Sequence, residues 1–466
     1  MGVSAIILAA GAGTRMKSKK PKVVHGLLDK PLVRWVVDAA YAAGAQDVAC
    51  VVGHGREQVI PLIEHDTAVI VQERLIGTAD AVASCAEAFQ GHTGSLLVLS
   101  GDSPLITPAT LRSLVAQRER EQAAACVLTM DLSDPFGYGR ILRDQEGALL
   151  GIVEQKDCTP EQAQITECNS GFYCFDAQAL FKALEEVGND NAQGEYYLTD
   201  VLAIFRKEGR GVCALQTAQP QECLGVNSRS QLAQATRQMQ RSINERHLAA
   251  GVTMTDPALV WIGPDVVLAN DVELLPLTFL YGKTEIGEDS IVGPNSRLTD
   301  AVVGSGCVIE ESIVAASRID DGATCGPRAY IRPGTHLCRN AKAGTHVEIK
   351  NSEIGARSKV PHLSYIGDAV VGADVNIGAG SITCNYDGTH KHQTIIGDGA
   401  FIGSDTMLVA PVRIGSHAFT GAASAITQDV PDRALAVERA PQKLIAEWEA
   451  FKHAKEAEKQ GAQQEA

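Results

Sequence analysis

The sequence predicts an α/β domain built on a mostly parallel sheet, followed by a parallel β-helix. Three observations carry this. In the first half, apolar runs of strand length alternate with segments of helical period. From about Trp261, an aliphatic residue followed by glycine recurs about every six residues. At 466 residues the chain exceeds one ordinary core, so two or more domains are expected.

In the first half, residues 3–8, 48–52, 68–71 and 95–99 read as buried strands. Segments 31–43, 79–89 and 108–120 carry helix-period apolar residues, and Pro31 and Pro108 stand where a helix starts. Strand–helix alternation implies a sheet covered on both faces, with ligands beyond the carboxyl ends of the strands. The glycine loop behind Leu8 and the stretch Ser100-Gly101-Asp102 both fall at such ends. Residues 228–250 are polar, place Leu232, Met239 and Ile243 at helical spacing and close at Gly251, which reads as one long connecting helix.

The six-residue repeat then takes over. Ile286-Gly and Val292-Gly open it, Ile354, Val360 and Ile366 continue it, and Val371-Gly, Ile377-Gly, Ile396, Ile402, Leu408 and Ile414 carry it on. Six residues of α-helix advance about 600°, so a helix would scatter these aliphatics over its faces. A short strand and a turn per repeat point each aliphatic into a narrow prism. Residues 385–393 interrupt the period and must bulge out as a loop. The repeat stops after Val437; 441–451 suits a short helix and 452–466 a polar tail. The expected organisation is therefore 1–227, a connecting helix 228–250, a β-helix 251–437, and a C-terminal helix and flexible tail 438–466.

Composition removes some functions. A net charge of −15 argues against a general nucleic-acid or anionic-membrane surface, though not against a local pocket for a small phosphate ligand. No apolar run is long enough to cross a bilayer. The first residues lack a charged segment before the apolar run and read as a strand, not a signal peptide. Twelve cysteines occur without a C-x-x-C pair, which suits reduced, mostly buried thiols in a cytoplasmic protein and no zinc site.

Gly11, Ala12 and Gly13 leave room for backbone N–H groups to approach a phosphate, Thr14 adds a hydroxyl, and Arg15 and Lys22 add charge. A glycine loop alone is as often a tight turn. This one matches neither the G-x-x-x-x-G-K-[ST] loop nor G-x-G-x-x-G, which counts against a generic ATPase or a nicotinamide dehydrogenase. The residues that follow are more specific. G-x-G-T-R-M and Pro21-Lys22 are followed in order by Gln72, Gly77-Thr78, Gly101-Asp102, Gly137-Tyr138-Gly139-Arg140, Glu154, Asn169, Asn191-Ala-Gln-Gly-Glu-Tyr-Tyr197 and Cys223-Leu-Gly-Val-Asn227. Each alone has a bland reading; Asp102, for instance, could cap a turn. Together they resemble the nucleotide-sugar pyrophosphorylases.

That resemblance implies a Rossmann-like domain in which a sugar 1-phosphate attacks the α-phosphorus of UTP and pyrophosphate leaves. Positioning and charge stabilisation dominate such a reaction. By the same resemblance Asp102 and Asn227 ligate Mg²⁺, and Lys22 and Arg15 are the catalytic cations on the triphosphate. Leu8, Ala9, Gly11, Gly13, Lys22 and Thr78 line the nucleotide, Gln72 and Gly77 read the uracil, and Gly139, Glu154, Asn169 and Asn227 complete the UDP-N-acetylglucosamine site.

In the repeat region, polar residues cluster where a regular prism needs none: Arg332, Lys350, His362, Tyr365, Asn376, Asn385, Tyr386, Ser404 and Arg439. Alone, His362 would read as a surface turn histidine. It stands in HLSYIGDAVVGADVNIGAG, followed by TCNYDG. This run resembles the acetyltransferase half of the family that joins N-acetylglucosamine-1-phosphate uridyltransferase to glucosamine-1-phosphate N-acetyltransferase, and the resemblance covers nearly the whole chain. Ala12 replaces a frequent lysine, Ser170 a frequent threonine, and Thr345-His346 a frequent Asn-Phe pair.

The resemblance implies a left-handed β-helix in which the amine of glucosamine 1-phosphate attacks acetyl-CoA directly. His362 is then the base, since a pKa of about 6.5 suits proton removal near neutrality. Arg332 and Lys350 pair with the sugar phosphate, Tyr365 and Asn376 add hydrogen bonds, and Asn385 orients the base or the developing oxyanion. Ala379, Asn385, Tyr386, Ser404, Ala422 and Arg439 line the acetyl-CoA site, and Cys384 stays non-catalytic. A homotrimer through the β-helix, and a supply of precursor for peptidoglycan and lipopolysaccharide-type polymers, follow from the same resemblance. Two other readings remain open at this point: a pyrophosphorylase with a passive β-helix, and a non-catalytic scaffold.

Overall fold

A computed structural model describes residues 2–464. The chain divides into two compact units, residues 1–247 with 261–264, and 248–260 with 265–466.

The first unit is built on one sheet. Its strands are β1 (Gly2–Ala9), β2 (Ala45–Val52), β3 (Ala68–Val71), β4 (Gly94–Ser100), β5 (Ala125–Asp131), β6 (Arg140–Arg143), β7 (Leu149–Val153), β8 (Glu167–Asp176) and β9 (Val212–Gln216). The main order is β9-β5-β8-β4-β1-β2-β3, with the β6–β7 hairpin attached to β8. Pairing is parallel except around β8, which runs antiparallel to β4, β5 and β6, and within that hairpin. Ala5, Ile6 and Ile7 on the central strand are all fully buried, as expected of a sheet covered on both faces.

The expected strands of the first hundred residues are all present, each within a few residues of its expected ends. Helix Leu32–Ala42 starts behind Pro31, and helix Pro108–Glu121 is capped by Thr107, whose hydroxyl accepts from Thr110 N at 3.2 Å. The helix expected over 79–89 is shorter. It spans Thr78–Ala83, and the chain continues in turns that still bury Cys85 and Phe89.

The helix expected as a connector spans Arg229–Ala249. Its first part is not free-standing: Ala235, with Leu232 and Met239, packs against Leu27, Leu32, Leu105 and Val226. This helix therefore completes a small core of the first unit.

The second unit is a left-handed parallel β-helix. Its short strands, starting at Thr253–Met254, ahead of the residues around Trp261 where the six-residue period becomes visible, form three parallel sheets. Each sheet carries one inward column. Leu274, Val292, Ile309 and Cys325 pair in succession on one face; Leu280, Leu298 and Val314 on the second; Ile286, Val303, Ile319, Leu337, Ile354, Val371, Ile396 and Ile414 on the third. All are buried, and each such side chain contributes roughly 1.5–3 kcal/mol of transfer free energy.

Corners use buried hydroxyls. Ser358 Oγ donates to Gly372 O at 2.6 Å and accepts from Val375 N at 2.8 Å, which satisfies backbone groups where the ladder turns. Gly355 is small because a Cβ there would lie 2.3 Å from Gly372 O in the next coil.

The interruption at 385–393 is a loop held by a bridge between Tyr386 and Lys391. The C-terminal helix departs from expectation. It spans Trp448–Gln464, beginning later than 441 and running through the expected polar tail, whose Glu, Ala, Lys and Gln are strong helix formers. The last two residues of that tail lie outside the described residues.

Candidate active sites

In the first unit the glycine loop, Gln72 and Asp102 lie at the carboxyl ends of β1, β3 and β4. After β1 the chain reaches Gly13 at φ 61, and a Cβ there would lie 2.6 Å from Lys22 Cβ. Glycine is required both for the left-handed backbone and for the approach of the Lys22 stem. A 3₁₀ turn, Thr14–Met16, buries Met16 as its anchor and leaves Arg15 exposed. Pro21 opens a second 3₁₀ turn, Lys22–Val24.

Lys22 Nζ donates to the Asp102 carboxylate and, at 2.8 Å, to Asn227 Oδ1. Asp102 follows β4, where Gly101 N donates to Leu8 O at 3.0 Å. Asn227 arrives from far along the chain. Val226 N donates to Asp102 O at 2.8 Å, and Gln231 Oε1 accepts from Asn227 N at 2.9 Å. The two oxygen ligands expected for a metal are thus adjacent and already share a cation. Sequence reasoning placed Lys22 on the triphosphate; its ammonium here lies between Asp102 and Asn227.

A second group forms behind β3. Gln72 Nε2 donates to Asp80 Oδ2 at 2.8 Å and to Gly77 O at 3.2 Å. Gly77 has φ 132, and a Cβ would lie 2.3 Å from Tyr196 O. Tyr196 N donates to Ile76 O and Ala79 N to Tyr196 O, while Thr78 Oγ1 accepts from Leu198 N at 3.0 Å. The Asn191–Tyr197 motif therefore builds the wall beside Gly77.

The third group gathers Gly139, Glu154 and Asn169. Asn169 N donates to Gly139 O at 2.8 Å, and Asn169 Nδ2 donates to Tyr173 Oη at 2.7 Å. A Cβ on Gly139 would lie 3.5 Å from both Asn169 Cβ and Glu154 Oε1. Burial raises the Glu154 carboxyl above its ordinary range. Tyr173 carries no motif signal in a single sequence, and the Asn191–Tyr197 motif that contains Tyr196 does not itself show that this residue meets Gly77.

In the second unit, two corners of the prism flank one face. On that face Ile331, Ile349 and Ile366 point inward, so Tyr330, Glu348 and Tyr365 form one outward column, with Arg332, Lys350, Gly367 and Cys384 beside it. Arg332 Nη1 donates to Glu348 Oε1 at 2.6 Å, and its guanidinium lies 5.8 Å from the Tyr330 ring. Gly367 makes room: a Cβ there would lie 2.4 Å from Tyr365 Oη and 2.8 Å from Asn385 Nδ2.

At one edge of the face, Asp368 accepts from Asn351 Nδ2 at 2.6 Å and from Asn385 Nδ2. Burial alone would raise the Asp368 carboxyl. Hydrogen bonds from the two asparagines and the cations Lys350 and Lys391 outweigh it and hold the carboxyl below its usual range. Lys391 is pushed down by the adjacent Lys350. Two ammonium groups held this close offer a site for an anion. Lys391 was missed by sequence reasoning, although it sits in the loop that breaks the repeat. Asp368, Glu348 and Gly367 were missed as well.

At the other edge the chain turns after His362. Thr345 pairs with His362, Asp405 N donates to Ala379 O at 2.7 Å, and Ala423 N donates to Ser404 O at 2.8 Å. The same corner recurs at residues 345, 362, 379, 404 and 422, each followed by a residue of positive φ. His362, Ala379, Ser404 and Ala422 thus belong to one corner column, and Arg439 Nη1 closes on Ala422 O at 3.4 Å. His362 is exposed, and among the described residues its imidazole makes no hydrogen bond or ion pair. Asn385 donates to Asp368 and not to His362. Asn376 lies on the sheet next to that corner, paired with Lys359 and Phe401, and Tyr386 is exposed at the root of the loop. All twelve cysteines are free, and burial raises the Cys384 thiol.

The family model of the MobA-like NTP transferase domain matches residues 5–192. The bifunctional protein GlmU of Heliobacterium modesticaldum is 49% identical over 450 residues, covering 97% of this chain and 98% of that protein. The bifunctional protein GlmU of Brevibacillus brevis is 47% identical over 437 residues, covering 94% and 95%. That of Syntrophomonas wolfei is 45% identical over 446 residues, covering 96% and 99%.

Proposed function

The chain belongs to the family of the bifunctional protein GlmU, and from that premise we infer how its residues divide two reactions between them. It is a bifunctional enzyme of UDP-N-acetylglucosamine synthesis, a uridyltransferase and an acetyltransferase in one chain. One observation favours this over a pyrophosphorylase with a passive prism: identity to the bifunctional relatives runs through both units.

In the first unit, N-acetylglucosamine 1-phosphate attacks the α-phosphorus of UTP and pyrophosphate leaves. Gln72 and Gly77 receive the uracil, with Thr78, Leu8, Ala9, Gly11 and Gly13 around the nucleotide. Gly139, Glu154 and Asn169 hold the amino sugar. The donor set of Asp102 and Asn227, two oxygens that already share the Lys22 ammonium, fits a hard cation such as Mg²⁺. When bound, that ion offsets the charge developing between the phosphates. Lys22 and Arg15 would hold the triphosphate.

In the second unit, the amine of glucosamine 1-phosphate attacks the thioester carbon of acetyl-CoA, and the CoA thiolate leaves. His362 takes the amine proton. Lys350 and Arg332 receive the sugar phosphate, joined by Tyr365 and Asn376. Asn385, tied to Asp368, faces the developing oxyanion, and Ala379, Tyr386, Ser404, Ala422 and Arg439 hold the coenzyme. No acyl-enzyme is required, and the raised Cys384 thiol suits a bystander.

We place the protein in the cytoplasm, where both co-substrates are made, and assign it as a homotrimer through the faces of the β-helix. No described helix is long and apolar enough to cross a membrane. The partition into 1–227, 228–250, 251–437 and 438–466 is proposed with one amendment: the helix of the second segment is needed to complete the core of the first.

The test is one incubation with glucosamine 1-phosphate, acetyl-CoA, UTP and Mg²⁺, following free thiol and pyrophosphate separately. Both should appear, thiol first. Pyrophosphate only from added N-acetylglucosamine 1-phosphate, with no thiol, would leave the passive prism.

A further inference from the structure

We propose that Asp320, His336 and Cys338 form a three-ligand site for a divalent transition cation of the zinc class on one face of the β-helix, with Glu353 beside the Cys338 thiol. The site lies outside both sets of reaction residues. The strands Arg318–Ile319, His336–Leu337 and Glu353–Ile354 stack in register, Arg318 on His336 on Glu353 and Ile319 on Leu337 on Ile354. The three aliphatics are buried, so Arg318, His336 and Glu353 point outward. One step further along, Asp320 and Cys338 point outward again, held by Asp320 N to Leu337 O at 2.8 Å and Cys338 N to Ile354 O at 2.9 Å. Three side chains of ligand type thus converge from two successive coils, and Glu353 of the next coil approaches Cys338.

Their spacing suits one ion. His336 Nε2 lies 2.9 Å from Asp320 Oδ2, and Cys338 Sγ lies 3.9 Å from both ring nitrogens of His336 and from Glu353 Oε1. The donor atoms of Asp320, His336 and Cys338 all fall within 4.8 Å of one another. A tetrahedral zinc with bonds of about 2.0–2.3 Å places its donors roughly 3.3–3.7 Å apart, between the observed extremes. The other Asp320 oxygen accepts from Arg318 Nε at 2.8 Å, which leaves Oδ2 facing His336. This is the outer-shell support that fixes a ligating carboxylate. Sulfur, imidazole and carboxylate together select a borderline-soft cation over Mg²⁺ or Ca²⁺. With the thiol deprotonated, three anionic groups face one guanidinium, and a dication balances them. The competing account is a surface ion pair between His336 and Asp320 with a bystander thiol. The sequence conceals the site because its spacing follows the coil, with Asp320, His336 and Glu353 on successive turns, and contains no C-x-x-C.

The test uses the full-length, reduced, metal-free protein titrated with Co²⁺ alone, then with Zn²⁺. Sulfur-to-cobalt charge-transfer absorption should saturate at one equivalent and vanish when Zn²⁺ is added. It should be lost in Cys338→Ala, persist in Cys384→Ala, and require over about ten-fold more cobalt in His336→Ala. The Asp102–Asn227 site holds no sulfur and cannot give this signal. Cys338→Ala should carry out both transfers at the wild-type rate. Absorption that is absent from the wild type at one equivalent, or that survives in Cys338→Ala, overturns the site and leaves the ion pair. Were Cys338→Ala unfolded by circular dichroism, unchanged cobalt affinity in a folded His336→Ala would overturn it equally.

Discussion

Lys22 shows how one side chain serves a site assembled from three distant segments. Its stem fits only because Gly13 lacks a Cβ, and its ammonium bridges Asp102 and Asn227. Gly13→Ala should therefore lower uridylyl transfer by about 10²-fold, the scale of a 1 Å misplacement, with acetyl transfer unchanged in the same preparation. An unchanged pyrophosphate rate would detach Lys22 from the chemistry. Asp102→Ala should abolish most pyrophosphate release and its response to Mg²⁺ while thiol release stays at wild type. A parallel fall in thiol release would mean that the two units do not act separately. In the second unit, His362→Ala should lower kcat for acetylation by about 10²–10⁴. KM for the sugar phosphate should move less, because the phosphate contacts belong to other residues. Wild-type acetylation across the pH range would return His362 to an ordinary surface residue.

At the scale of elements, the β-helix depends on inward columns and on corners that can carry chemistry. Ile309 lies fully buried between Val292 and Cys325 and touches no proposed site. Ile309→Ala should cost about 2–5 kcal/mol, read as a lower urea midpoint of the second unit with uridylyl transfer retained. Asp368 ties a corner together by accepting from Asn351 and Asn385 beside Lys350 and Lys391. Its carboxyl is held below the ordinary value of about 3.9, so it stabilises the fold above that pH and loses this contribution as the pH falls through its lowered value. Urea midpoints should show the wild type more stable than Asp368→Asn near neutrality, with the gap closing below about pH 4. A gap independent of pH would assign the difference to packing instead. Acetylation by Asp368→Asn should also fall, since Asn385 and the lysine pair lose their common anchor.

At the scale of the whole molecule, the long helix decides where the first activity ends. Ala235, Leu232 and Met239 cover Leu27, Leu32 and Leu105, so a fragment 1–247 should be folded and release pyrophosphate, whereas 1–227 should melt at a lower temperature. Equal melting temperatures would make the helix a mere connector. The full chain should run as three copies by light scattering, and a monomer that acetylates at full rate would remove the trimer from the mechanism. Much of this was legible in the sequence. Periods of two, 3.6 and six residues report which side chains turn inward, and burial depends on that pattern more than on context, so the sheet strands and the prism were readable. The motifs also carried Gly13, Lys22, Asp102, Gln72 and His362, because a loop chemistry written in consecutive residues survives without a fold. What only tertiary structure decided are meetings between residues far apart in sequence: Lys22 with Asn227, Tyr196 with Gly77, Lys391 with Lys350, His336 with Asp320. These follow from strand order and from the stacking of coils. A linear pattern does not encode which turn lies above which, because that is set by the packing of the whole core.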